Sequence, residues 1–177
     1  MSDGRLLLLV VAISILAACR LPEAEKLPPL RVVDHVDLKR YAGEWFEIAR
    51  YPHRFQEGCV GSKATYRLDD DGIVVVNECY EQKLTGAVRS VTGSARVVDR
   101  QTNAKLKVTF FWPFAGDYWI IDLDDNYQYA VVGHPTRKYL WILSREQEMD
   151  ATVYQGILLR LQLQGYDTAK LIKTRQN

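Results

Sequence analysis

Three cysteines and three histidines are the few side chains in this sequence that most often serve in covalent or metal chemistry. His35, His53 and His134 fall in linker and loop positions, with no nucleophile in register and no second histidine at ligand spacing. The sequence also lacks the spaced motifs of serine hydrolases, zinc peptidases, P-loop enzymes and dinucleotide-binding enzymes. It therefore predicts no catalytic residue, no bound metal and no cofactor.

Cys19 is the cysteine with the most distinctive surroundings. It ends the stretch Leu16-Ala17-Ala18-Cys19, which closes an apolar run over residues 6–18. A helix needs about 20 apolar residues to cross a membrane, so this run better suits the core of a secretion signal. The tetrapeptide resembles the lipobox of bacterial lipoproteins, in which the cysteine is acylated and becomes the mature N-terminus. The resemblance implies a signal peptide over residues 1–18 and lipidation at Cys19, whereas an ordinary secretion signal is the alternative.

The residues after Cys19 indicate how the protein is held. Arg20 stands where an aspartate marks inner-membrane retention in the lipoprotein family, so the resemblance implies a lipid anchor in the outer membrane of a Gram-negative-type bacterium. Residues 20–30 contain three prolines and show no periodicity. We interpret residues 19–31 as a lipidated N-terminus and a semi-extended, proline-rich tether.

Composition bounds the class of the folded part. With 177 residues the chain is long enough for one domain with a sizeable core. Its 23 basic and 22 acidic residues nearly balance, which gives no indication of nucleic-acid binding. Aromatic residues, valine and isoleucine are plentiful, so the first expectation is an antiparallel β protein.

From residue 43 onward the chain divides into eight β-forming runs separated by turn-rich connectors. The runs cover residues 44–51, 60–68, 73–80, 87–98, 104–111, 117–123, 127–133 and 138–144. Eight strands joined in sequence by short loops predict an all-β fold, an eight-stranded antiparallel up-and-down β-barrel. Such a barrel has an interior that side chains fill or that holds one small ligand. A two-sheet sandwich is the alternative that the strand count leaves open.

One stretch late in the chain has the spacing of an amphipathic helix. Asp150 before it and Gly165 after it are typical of the start and the end of a helix. The apolar positions between them lie on one face: Val153, Ile157, Leu158 and Leu161. This pattern predicts one C-terminal α-helix packed on the outside of the barrel.

Three separated motifs resemble those of the lipocalins, and in particular those of the bacterial branch. The motifs are Gly43-Glu44-Trp45 followed by FEIARYPHRF, Asp124-Asp125-Asn126-Tyr127 before YAVV, and Ser144-Arg145 within YLWILSR. They occur in order, at the expected strands, and a helix follows the third. The resemblance extends over about residues 32 to 172 and implies a lipocalin domain over residues 32–177.

The topology assigns a role to the two ends of the barrel. Strand one starts and strand eight ends at the same rim, so Trp45 and Arg145 are expected to meet there. The guanidinium can lie on the indole face, a cation–π contact worth about 0.5–2 kcal/mol, and we interpret the pair as the barrel floor. The loops at the other, open end carry aromatic residues between 111 and 114 and scattered basic residues, which suit lipids. The alternative is that these aromatics fold inward and fill the mouth.

Period-two alternation predicts which side chains face the interior, with Arg67, Arg96 and Lys107 taken to point outward. The residues expected to line a ligand cavity are Tyr66, Val76, Val91, Ala95, Leu106, Val108, Tyr118, Ile120, Tyr139 and Trp141. Such a lining binds an acyl chain by burial, at about 25 cal/mol per Å². The same alternation sends Glu47 and Glu78 inward. A packed core without a cavity is the alternative.

Cys59 and Cys79 flank the predicted hairpin of the second and third strands, and alternation gives both an outward position. The oxidising bacterial envelope permits a disulfide between them. A bridge closing about 20 residues stabilises by roughly 3 kcal/mol in the chain-entropy model. Free thiols and, less favoured, metal ligation are the alternatives.

Together these features predict an outer-membrane-anchored lipocalin that binds, stores or transports lipids in its barrel for envelope maintenance. The expected partners are a fatty acid or lysophospholipid ligand and the membrane that holds the acyl anchor. A homodimer is left open. Two other functions are left open as well: a lipocalin-fold enzyme acting on a bound lipophile, and a tethered interaction scaffold.

Overall fold

The structure, a computed structural model, describes residues 27–70 and 72–176. The predicted signal peptide over residues 1–18, the predicted lipidation site Cys19 and residues 20–26 of the predicted tether lie outside the described residues. Two short 3-10 helices, Arg54–Gln56 and Thr168–Lys170, accompany the main elements. In chain order those elements are α1 (Leu38–Tyr41), β1 (Gly43–Arg50), β2 (Cys59–Asp69), β3 (Gly72–Glu81), β4 (Val88–Val97), β5 (Lys105–Phe111), β6 (Phe114–Leu123), β7 (Tyr129–Gly133), β8 (Leu140–Ser144), α2 (Ala151–Leu163) and β9 (Ile172–Lys173).

The strands form one closed antiparallel sheet in which each of β1 to β8 pairs with its neighbours in sequence. β1 closes the barrel because its first half pairs with β2 and its second half pairs with β8. The two-residue strand β9 pairs with the end of β1 at Ala49 and Arg50. The up-and-down barrel expected from the sequence is therefore confirmed, and the two-sheet sandwich is excluded.

Alternation along the strands separates two apolar clusters. The first lies inside the barrel and includes Trp45, Tyr66, Leu106, Ile120 and Val132. The second lies between the outer face of the barrel and α2 and includes Ile48, Val131, Ile142, Ile157 and Leu161. Val131 and Val132 belong to different clusters because side chains of successive strand residues point to opposite faces. The barrel wall is thus buried on both faces where α2 covers it.

Helix α2 packs outside the barrel, as the sequence predicts. The Asp150 carboxylate caps it by accepting hydrogen bonds from the backbone N–H groups of Thr152 and Val153, at 2.8 and 3.0 Å. The buried face differs by one position from the expected stripe, because Tyr154 is buried while Val153 is 39% exposed. Within the described part of the chain, no helix is long and apolar enough to cross a membrane.

The segment before α1 runs along the barrel from one end to the other. At the open end, the Pro28 carbonyl accepts a hydrogen bond from the Arg137 side chain at 2.6 Å. Farther along, the Val36 N–H donates to the carbonyl of Thr102, in the β4–β5 connection at the closed end. Leu30 is buried in the outer cluster. Residues 27–31, which the sequence assigns to the tether, therefore pack with the barrel.

Candidate ligand cavity

Arg145 and Trp45 meet at the closed end of the barrel. The guanidinium carbon lies 3.8 Å from the centre of the indole ring, and Trp45 is fully buried. The indole N–H donates to the carbonyl of Tyr41 at 2.8 Å, so its polar edge is satisfied as well. This arrangement plugs the floor of the barrel beneath the inner apolar cluster.

The Arg145 side chain also joins two separate stretches of backbone, residues 40–44 and Tyr127. Its terminal nitrogens donate to the carbonyls of Arg40, Ala42 and Glu44, at 2.8, 3.0 and 2.6 Å, and Nε donates to the carbonyl of Tyr127 at 3.3 Å. Burial lowers the pKa of Arg145 from its ordinary value. The fixed fork of guanidinium donors suits this role, because it can reach several carbonyls at once.

Above the floor lies an open cavity of about 870 Å³. Six of the residues predicted from the sequence border it: Tyr66, Val91, Val108, Tyr118, Tyr139 and Trp141. Ala95, Leu106 and Ile120 also point into the barrel, but they lie in the packed inner cluster and do not border the cavity. The barrel is therefore filled at its closed end and open at the other, and a core packed throughout is not what the structure has.

The alternation predicted for β3 was wrong. Ile73 and Val75 belong to the inner cluster, whereas Val76 is half-buried, lies outside that cluster and does not border the cavity. Glu78 pairs with Lys63 across the sheet at 3.6 Å, and both residues border the cavity. The physical reason is that residues 73–76 are all apolar, so this run contains no polar residue from which to fix the parity.

Cys59 and Cys79 form a disulfide, with 5.5 Å between their Cα atoms. The outward position predicted for them was wrong, because both are buried and both border the cavity. Pairing of β2 with β3 shifts register between Val60 and Lys63, and such an irregularity breaks simple alternation. The bridge therefore fastens the cavity wall from the inside, near the open end.

Three tyrosine hydroxyls meet between the floor and the cavity. Tyr118 Oη lies 2.7 Å from Tyr41 Oη and 2.8 Å from Tyr66 Oη, which makes a short hydrogen-bonded chain. Burial raises the pKa of Tyr66 to about 12 and raises the pKa of Tyr41 and of Tyr118 well above the usual value. All three phenols are therefore neutral near pH 7.

A buried polar network lies on the opposite side of the cavity, close to the mouth. Glu47 faces inward, as predicted, and its carboxylate accepts from Arg50 Nη1 at 2.7 Å and from Gln56 Nε2 at 2.7 Å. The Gln56 side-chain oxygen Oε1 in turn accepts from the Trp141 indole N–H at 3.0 Å. Sequence reasoning missed Gln56, because a glutamine in a loop carries no periodic signal.

The mouth is rimmed by exposed aromatic side chains. Phe55, Phe111, Trp112 and Phe114 are 71, 66, 88 and 77% exposed. They do not fold inward to fill the cavity, so that alternative is excluded. Among the described residues, no group of three or more His, Cys, Asp and Glu side chains is placed to hold a metal ion.

A closed antiparallel barrel of eight strands, plugged at one end and hollow at the other, defines a ligand-binding barrel. The family description "Lipocalin-like domain" matches residues 36–176 of the chain. The chain therefore belongs to the lipocalin family.

Individual relatives agree with this assignment. The chain is similar to the outer membrane lipoprotein Blc of Escherichia coli (strain K12), with 42% identity over 178 residues that cover 97% of this chain and 98% of that protein. It is similar to temperature-induced lipocalin-1 of Arabidopsis thaliana, with 40% identity over 84% of this chain and 83% of that protein. Among solved structures, insecticyanin from the tobacco hornworm Manduca sexta superposes with a TM-score of 0.68 at 22% identity, covering 84% of this chain and 85% of that one. That last likeness concerns the fold alone.

Proposed function

We propose that this lipocalin binds a lipid, such as a fatty acid or a lysophospholipid, in its barrel cavity and stores or transports it for maintenance of the bacterial envelope. The observation that carries the proposal is the cavity of about 870 Å³, which lies within the range typical of small-molecule sites. Val91, Val108 and Trp141 offer apolar surface to an acyl chain, while the mouth offers polar groups to a head group.

We further propose that the protein is held at the outer membrane by acyl chains on Cys19. The sequence around Cys19 resembles a lipobox, and the relatives named Blc are outer membrane lipoproteins by name. Each buried methylene of an acyl chain contributes about 0.8 kcal/mol, so several chains give stable attachment. The packed segment from Leu27 onward leaves only residues 20–26 between the anchor and the barrel.

Binding without catalysis is the activity we infer. A thiol inside the cup is what an isomerase of this fold would need, and the two cysteines that border the cavity are joined in a disulfide. The three histidines are dispersed over the segment before α1 and two loops at the mouth. These placements support a carrier in preference to an enzyme.

Native mass spectrometry of a soluble form that starts at residue 20 tests the proposal. We expect a lipid that co-purifies with the protein and that added fatty acid or lysophospholipid displaces. The same spectra report whether the protein is a monomer or a homodimer, and the mass of the mature N-terminus of the membrane-bound protein tests the anchor. A spectrum without bound lipid, before and after lipid addition, would favour the scaffold function, and turnover of the bound lipid would favour an enzyme.

A pair of variants places the ligand. Val108→Asp puts a carboxylate against the acyl chain and should weaken binding by several kcal/mol if it stays ionised. The matched control is Val88→Asp, because Val88 is 59% exposed and does not border the cavity. Equal affinity of the two variants would mean that the ligand lies elsewhere.

A further inference from the structure

His53 stands at the mouth of the cavity, just before the short 3-10 helix Arg54–Gln56. Its ring packs edge-on against Trp141 and Tyr139, with centroids 5.4 and 5.8 Å apart. Both ring nitrogens are shielded from solvent, and neither has a hydrogen-bond partner among the described residues. Buried polar atoms are nearly always paired in folded proteins, so an unpaired ring bordering a cavity indicates a partner that the chain itself does not supply.

The polar groups around His53 are already engaged. The Gln56 amide donates to Glu47 and accepts from Trp141. The Glu47 carboxylate also accepts from Arg50 at 2.7 Å and from the Thr174 hydroxyl. These neighbours hold one another in place and leave the imidazole to the cavity.

Two arginines near His53 have donors without partners among the described residues. Arg50 is 5% exposed, and its Nε–H has no hydrogen-bond partner in the described part of the chain, but Arg50 does not border the cavity. The Arg54 side chain borders the cavity and makes no hydrogen bond or ion pair with any described residue. A neutral imidazole has one N–H donor, and a guanidinium has donors alone. The missing partner is therefore rich in acceptor oxygens.

Charge points the same way. Burial lowers the pKa of His53, and the charge of Arg50 lowers it further, whereas the charge of Glu47 raises it, as does the Gln56 side chain, which lies close to the ring but outside hydrogen-bonding geometry. Of the other charged groups near this part of the mouth, Glu81 is engaged with Arg89 at 3.6 Å, and Arg89 also donates to the carbonyls of Phe55 and Glu57. An anion beside His53 would favour the imidazolium, so its binding would be linked to proton uptake.

We propose that His53, with Arg54 beside it, binds the anionic oxygen head group, a carboxylate or a phosphate, of the amphiphile whose chain occupies the cavity. The proposal rests on the proposed function, since the chain of the amphiphile must enter the barrel. It makes His53 the residue that sets head-group preference, while the apolar wall binds the chain without regard to the head group.

The experiment compares two probes that share a chain and differ in head group. Decanesulfonate keeps its charge at all pH values used, and decanol is neutral. Calorimetry is done on the full chain in nanodiscs of one zwitterionic phospholipid, so partition into the disc is the same for every variant. Wild type should prefer decanesulfonate to decanol, and in His53→Phe this preference should fall by about tenfold or more, because a hydrogen bond to a charged group is removed. The affinity for decanol should be the same in wild type and in His53→Phe.

The pH dependence provides the second measurement. Sulfonate affinity of wild type should rise as the pH falls from about 8 to about 5, because the bound anion raises the pKa of His53. His53→Phe should abolish this rise. His53→Gln should keep part of the preference for sulfonate over decanol but should show no rise as the pH falls. His35→Gln is the matched control, because His35 is exposed and lies outside the cavity. Decanoate and decyl phosphate then show which of the two head groups binds more tightly.

The outcomes separate the two proposals. If wild type binds neither decanol nor decanesulfonate, the result counts against the proposed function. Binding of both probes with no loss of preference in His53→Phe would overturn the His53 subsite alone. The His53 subsite would also be overturned if His134→Gln lost the pH dependence of sulfonate affinity and His53→Phe kept it. The ring of His134 already has a partner, Thr136 Oγ1 at 2.9 Å.

Discussion

The closed end and the open end of this barrel treat their polar groups in opposite ways. At the closed end all three Arg145 nitrogens donate to backbone carbonyls, and the Trp45 N–H is paired as well. At the open end both nitrogens of His53 are buried without a partner among the described residues, and Trp112 is 88% exposed. A hydrogen-bonded network with every group paired stabilises the fold. Unpaired polar groups and exposed apolar surface lower stability, and they are typical of sites where a ligand binds. Stability and binding are therefore assigned to different ends.

Removal of Arg145 should have the largest effect on stability. Arg145→Ala leaves the carbonyls of Ala42, Glu44 and Tyr127 without their donor and uncovers the Trp45 ring. We expect the free energy of unfolding to fall by about 3 kcal/mol, which chemical denaturation measures directly. Ligand affinity of the folded fraction should change little, because the cavity lies at the other end.

Arg54→Ala is the matched control at the open end. Arg54 is exposed and makes no hydrogen bond or ion pair with the described residues, so its loss should change stability by less than about 0.5 kcal/mol. Its effect should appear in the affinity for anionic amphiphiles instead. Equal destabilisation by the two substitutions would show that the two ends do not differ in the way described.

The disulfide is the element that ties the open end into the stable part of the fold. Replacing Cys59 and Cys79 together by serine should lower the free energy of unfolding by roughly 2–3 kcal/mol, because the bridge restricts a loop of 20 residues in the unfolded chain. The control is wild type measured in a strong reductant, and its free energy of unfolding should match that of the double variant. A loss well above that of Arg145→Ala would mean that the open end, rather than the floor, dominates stability.

The same contrast explains which features the sequence could predict. The floor was predictable, because Trp45 and Arg145 sit in motifs whose strands topology brings to one rim. The packing of α2 was predictable from apolar spacing, apart from the exchange of Val153 for Tyr154. The apolar run at residues 73–76 and the irregular pairing near Cys59 defeated alternation, since neither offers a regular polar and apolar period.

His53 illustrates a different limit. Its residue type and loop position are visible in the sequence, but its burial depends on the packing of Tyr139 and Trp141 from β8 and the residue just before it, about 85 residues later in the chain. That His53 has no hydrogen-bond partner among the described residues is likewise a consequence of the whole network around Glu47. Features of this kind emerge only when distant segments are brought together.

The tyrosine chain sharpens the comparison, because it lies between the two ends. Burial raises the pKa of Tyr66 to about 12, so its folded pKa lies above the ordinary value near 10. Below pH 10 the phenol is protonated in both the folded and the unfolded chain, and its contribution is fully present. As the pH rises from 10 towards 12 the unfolded chain ionises first, and this contribution to stability is lost.

Tyr66→Phe should cost about 1 kcal/mol at neutral pH and should make the decline between pH 10 and 12 shallower. Tyr80→Phe is the control for alkaline effects on the rest of the chain, because Tyr80 is 37% exposed and lies outside both apolar clusters. Denaturation curves recorded across this range for wild type and the two variants decide the matter. If the curves of wild type and Tyr66→Phe run parallel, the hydroxyl chain is hydrated like the open end and does not belong with the sealed floor.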